Sequence, residues 1–100
     1  MPRVIVTRAA QRDLERLRKF LYDKNPQASK RAAQAIKDGV KKIAIQPEGY
    51  RPVLNIPYHR ELVIEFGRRG YIARYHYQPG GEVLILRIKH QLEDDLTETP

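Results

Sequence analysis

Residues 60 to 90 constrain the fold most. They read Arg60-Glu-Leu-Val-Ile-Glu-Phe-Gly-Arg-Arg-Gly-Tyr-Ile-Ala-Arg-Tyr-His-Tyr77, then, after Gln78, Pro79-Gly-Gly81 and Glu82-Val-Leu-Ile-Leu-Arg-Ile-Lys-His90. Apolar and polar residues alternate, and the glycine-rich breaks at 67–70 and 79–81 mark two consecutive β-hairpins. Side chains alternate between faces along a strand. Leu62, Ile64 and Phe66 therefore share one face, opposed by Glu61, Val63 and Glu65. Tyr71, Ala73, Tyr75 and Tyr77 continue the apolar face in the next strand, and Leu84, Leu86 and Ile88 in the last. The other face is expected to present Glu65, Arg74, His76 and Arg87, with Ile85 on that side. On this reading, truncating Leu86 to Ala costs about 2–5 kcal/mol.

An apolar sheet face needs a cover, and the first half of the chain supplies one. Val4, Ile5 and Val6 favour a short strand. Thr7 is placed to cap a helix in which Ala10, Leu14, Leu17 and Leu21 recur at helical spacing. Asn25-Pro26 starts a second helix, with Asn as cap and Pro in the first turn. Its buried stripe is Ala32, Ile36, Val40 and Ile43; Gly39 beside it permits a close approach, and Pro47 ends it. Residues 48–59 are irregular, with room for a short extended piece. The expected fold is α+β, β-α-α-β-β-β: an N-terminal strand, then an antiparallel helical hairpin packed on one face of a mostly antiparallel sheet. Residues 1–100 form one domain, with a core at about 3–90 and an acidic tail at 91–100. Leu14, Leu17, Leu21, Ile36, Val40, Ile43, Leu62, Ile64, Leu84 and Leu86 are expected in its core.

Charge and missing residue types narrow the function. There is no cysteine, so no disulfide or thiolate metal site forms. No apolar run is long enough to span a membrane, and the first residues lack a signal-peptide layout, which points to the cytoplasm. His59, His76 and His90 have no metal-ligand spacing, and no phosphate-binding or nucleophile motif is present. No cofactor is expected. The net charge is +7. Residues 1–50 hold 12 Lys/Arg against 5 Asp/Glu, and residues 51–100 hold 7 of each, so the excess lies on the helices. Such a surface attracts nucleic acid or an acidic protein, or is simply solvated.

The element order, Gly70-Tyr71 opening a strand and Leu86-Arg-Ile-Lys-His90 closing the last one together resemble the RelE/ParE superfamily of small bacterial toxins. The resemblance covers roughly residues 3 to 93. It implies a type II toxin–antitoxin pair that serves plasmid stabilization. Members of the RelE branch cut mRNA on the ribosome with cations converging on one phosphate and a Tyr or His as acid or base. At the matching positions this chain has Val63, Glu65, Ile72 and Leu92, which removes that charge. It is therefore more similar to the ParE branch, which poisons DNA gyrase without catalysis. The resemblance further implies a ParD-like antitoxin whose acidic, disordered tail folds on binding, a hetero-oligomer with it, and no sequence-specific DNA contact. Candidate partner-binding residues are Arg12, Arg16, Lys19, Arg68, Arg69, Arg74, Arg87 and His90. The alternative is a ribonuclease using Arg60, Arg74, Arg87 and His90.

Overall fold

The computed structural model describes residues 1–93. A strand, β1 (Val4–Val6), leads into two helices, α1 (Arg8–Lys24) and α2 (Pro26–Ile45). Four strands follow: β2 (Arg51–Pro52), β3 (His59–Phe66), β4 (Arg69–Tyr77) and β5 (Val83–His90). They make one sheet in the order β1-β5-β4-β3-β2. Only the β1–β5 pair is parallel. The chain thus adopts the expected α+β architecture, and β2 is the extended piece foreseen after Glu48.

Local chemistry fixes each element. The Thr7 hydroxyl accepts from the Ala10 amide and donates to the Ile85 carbonyl, so one residue caps α1 and ties it to β5. The Asn25 side chain accepts from the Gln27 and Ala28 amides, and Pro26 opens α2. The Ser29 hydroxyl donates to the Arg18 carbonyl and links the two helices. Gly67, at φ 63°, begins the two-residue turn between β3 and β4. In the next turn Gly81 donates to the Gln78 carbonyl, with Pro79 and Gly80 between them and Gly80 at φ 88°.

The core lies between the helices and the sheet. Ala10, Leu17, Ala32, Ile36 and Ile43 meet Leu62, Ile64, Tyr71, Ala73, Tyr75, Val83, Ile85 and Ile88. Gly39 is the point of closest approach, but the partner is the sheet: a Cβ there would lie 2.6 Å from Ile64 Cδ1. Leu14, Leu21 and Val40 are only half-buried, because they edge a groove between the helices. The Tyr75 hydroxyl is sealed in the core and donates to the Pro47 carbonyl at 2.6 Å; burial pushes its pKa up to about 12.

The last strand departs from simple alternation. Arg74 pairs with Arg87 but Tyr75 pairs with Ile85, so Leu86 is an extra residue, a β-bulge. Val83 and Ile85 are fully buried, whereas Leu84 and Leu86 are half-buried. The expected faces of this strand are therefore exchanged before the bulge and restored after it, at Ile88. The expected acidic tail begins at Gln91, which the structure describes. Gln91 brackets Gly70, its amide donating to the Gly70 carbonyl and its side-chain oxygen accepting from the Gly70 amide. The rest of the expected tail, 94–100, lies outside the described residues.

Candidate functional site

Ala10, Asp13 and Leu17 share the buried stripe of α1, which puts a carboxylate where an apolar residue is the norm. Asp13 lies at the free edge of β5, just past the bulge. Its Oδ2 accepts from the Ile88 amide and Arg87 Nε, both at 2.8 Å. Its Oδ1 accepts from Arg87 at 3.0 Å and Arg16 at 3.1 Å. Burial raises the pKa of this carboxyl, but the bonds from Arg87, the Ile88 amide and Arg16 outweigh it and hold the group below its ordinary value. Arg87, expected on the open face, is thus turned toward α1. The sequence reading missed Asp13; an acid inside an apolar stripe was the signal.

Arg16 continues outward from this clasp and also pairs with Glu93. Beyond it opens an apolar cavity of about 710 Å³ between the last turns of α1 and the β3–β4 turn. Leu17, Phe20, Leu21, Phe66, Tyr71 and Leu92 form its walls, and Arg16, Arg68, Arg69, His90 and the carboxylate of Glu93 its polar rim. Phe20 is 60% exposed, and Lys24 lies 5.0 Å above its ring. Gly70 allows this end of the sheet to close, since a Cβ there would sit 1.9 Å from the Ile64 carbonyl oxygen. The His90 ring stands edge-on to Tyr71 at 5.4 Å, and its Nδ1 accepts from the Leu92 amide. Burial, and secondarily the Glu93 charge, raise the Tyr71 pKa.

Four of the eight expected partner-binding residues, Arg16, Arg68, Arg69 and His90, therefore converge on one cavity. Arg87 joins them indirectly through Asp13. Arg12 and Lys19 lie apart on the exposed side of α1. Arg74 lies on the opposite sheet face, where Glu61 accepts from its Nε at 2.9 Å and from its terminal nitrogen at 2.5 Å. Burial raises the Glu61 pKa, but Arg74 and Arg51 together hold it below its ordinary value.

The four residues of the ribonuclease alternative do not gather. Arg60 shares strand parity with Leu62 and Ile64, on the helix side, and donates to the Tyr50 carbonyl at 2.7 Å. Arg74 is on the other face with Glu61, Arg87 is clasped by Asp13, and His90 is at the cavity rim. The two arginines nearest each other, 74 and 87, each face a carboxylate that offsets their charge. His59 and His76 lie ring to ring at 5.3 Å, on β3 and β4 where His90 is not. Among the described residues no three His, Asp or Glu side chains come together in a metal-binding group. Among the described residues, no helix is long and apolar enough to cross a membrane.

Comparison with known proteins gives matches under both the ParE and the RelE names. The family described as "ParE toxin of type II toxin-antitoxin system, parDE" matches residues 4–95. Toxin RelE3 of Caulobacter vibrioides is 38% identical over 85 residues, covering 84% of this chain and 88% of that one. Toxin RelE1 of the same organism is 33% identical over 90 residues, covering 90% and 94%. A solved structure of a chromosomal ParDE toxin–antitoxin system from P. aeruginosa superposes with a TM-score of 0.74 at 27% identity, covering 90% of this chain and 96% of its counterpart.

Proposed function

The chain belongs to the RelE/ParE superfamily of type II toxin–antitoxin toxins, and we propose that it acts as a ParE-type toxin that inhibits DNA gyrase by binding it. One observation carries the choice of branch. A nuclease needs unpaired cations on one phosphate. Here Arg74 and Arg87 are held by Glu61 and Asp13, and Arg60 is on the other face. A binding toxin needs a surface instead, and the cavity rimmed by Arg16, Arg68 and Arg69 offers one with a strong apolar centre.

The same cavity is our proposed seat for the cognate antitoxin. An acidic segment that folds on binding places apolar anchors in a groove and carboxylates on its rim. Phe20, Phe66 and Leu17 supply the groove, and Arg68 and Arg69 the cationic rim, beside Arg16, whose charge Asp13 and Glu93 already share. Arg12, Lys19 and Arg74 are not part of this seat.

The rival reading, mRNA cleavage, draws on the RelE name of the two Caulobacter relatives. Induced expression of the unmodified chain and of His90→Gln separates the two. A general acid or base contributes about 10²–10⁴-fold, so a nuclease relying on His90 loses nearly all toxicity in the variant. The expected result is growth arrest by both proteins, with a DNA-damage response and intact mRNA. Arrest abolished in a folded His90→Gln variant, with mRNA cleaved by the unmodified chain, would assign the protein to the nuclease branch.

A further inference from the structure

Apart from Arg16 and Lys24, much of the positive charge of the helical hairpin lies away from the cavity. Residues 8–45 hold 11 Lys/Arg against 4 Asp/Glu, and one of the four, Asp13, is buried. Arg8, Arg12 and Lys19 stand four and seven residues apart, which aligns them on one side of α1. That side is opposite Ala10 and Leu17, which face the sheet. On α2, Lys30, Lys37 and Lys41 align in the same way, opposite Ala32, Ile36 and Ile43. α1 lies over β5 and α2 over β3 on the same sheet face, so both stripes point outward together. All six residues are exposed, and none enters an ion pair among the described residues. Glu15 and Asp23 are the carboxylates on the same side of α1.

We propose that this outer face of the hairpin binds the phosphate backbone of duplex DNA without reading its sequence. Two features favour DNA over an acidic protein. First, the centre of the face lacks the apolar anchors that a folding protein segment needs. The large exposed apolar side chains of the hairpin, Phe20, Tyr22 and Ile45, are in the last turns of their helices. Second, the cations are spread along the axis. Lys30 to Lys41 span about 16 Å of helix. That length faces roughly five phosphates of one strand at about 3.4 Å of axial rise each. On a gyrase–DNA complex, such a face adds a DNA contact to the protein contact of the cavity. The inference does not depend on gyrase, because binding to naked duplex is measured without it.

The test is fluorescence anisotropy of a short labelled DNA duplex of arbitrary sequence titrated with the purified toxin. If about four phosphates are neutralised, affinity falls roughly 10²-fold between about 50 and 200 mM salt. The variant Lys30→Gln/Lys37→Gln/Lys41→Gln should lower the salt slope by about one unit per lysine that contacts a phosphate, and weaken binding at least ~10-fold at low salt. Arg3→Gln/Arg51→Gln, which removes exposed charge outside the hairpin, should change affinity less than about 2-fold. Three results would overturn the proposal: no measurable duplex binding at low salt, equal losses in the lysine and arginine variants, or polyglutamate competing as well as DNA. The last would assign the face to an acidic protein.

Discussion

Among single residues, Asp13 ties α1 to β5 beside the candidate site. It holds Arg87 and Arg16 and satisfies the otherwise open Ile88 amide at the edge of β5. Removing its charge takes away the carboxylate that the partly buried Arg87 and Arg16 share. Asp13→Asn should therefore lower unfolding free energy by about 3 kcal/mol, read from the denaturant midpoint. Folding lowers the Asp13 pKa from its ordinary 3.8 and the Glu61 pKa from 4.5. The stabilisation from these pairs is thus fully present above those values and is lost as pH falls through the lower folded ones. Acid titration of stability should show this loss in the natural chain. The Asp13→Asn variant should show a shallower acid limb. Equal acid limbs would mean that the clasp carries no linkage.

At the scale of elements, the helices and their caps were readable because each signal is local. Thr7, Asn25-Pro26 and the 3–4 spacing of apolar residues involve neighbours in sequence. The faces of β3 and β4 were readable for the same reason. β5 was not, because a bulge depends on cross-strand register: nothing in Leu84-Ile-Leu-Arg indicates that Leu86 is the residue left over. Ile85→Ala should therefore cost about 2–5 kcal/mol, and Leu86→Ala only about 1, by chemical denaturation. The reverse order would contradict the bulge. The candidate site was half legible. Arg16, Arg68, Arg69 and His90 converge, but Phe20 and Phe66 as cavity walls follow only from how α1 crosses the sheet. If the cavity seats the antitoxin, Phe20→Ala should weaken the complex by at least about 2 kcal/mol, roughly 30-fold in Kd. Arg16→Glu should weaken it as well, while Arg12→Glu, on the far side of α1, should leave it within about 2-fold at moderate salt. Calorimetric titration with purified antitoxin reads all three; a Phe20→Ala complex of natural affinity would move the antitoxin to another surface.

At the scale of the whole molecule, the proposed ParE-type activity rests on surfaces. Arg87, Arg74 and Arg60 are engaged by Asp13, Glu61 and the Tyr50 carbonyl. The apolar cavity and the cationic hairpin face remain open on different sides. The most direct measurement incubates the purified chain with gyrase, ATP and plasmid, and quantifies supercoiling and protein-linked linear DNA. In parallel, the chain is incubated with translating ribosomes and mRNA. The expected result is loss of supercoiling, linear DNA that rises with toxin concentration, suppression of both by the antitoxin, and uncut mRNA. Unaffected gyrase with mRNA cut at the ribosome would contradict it.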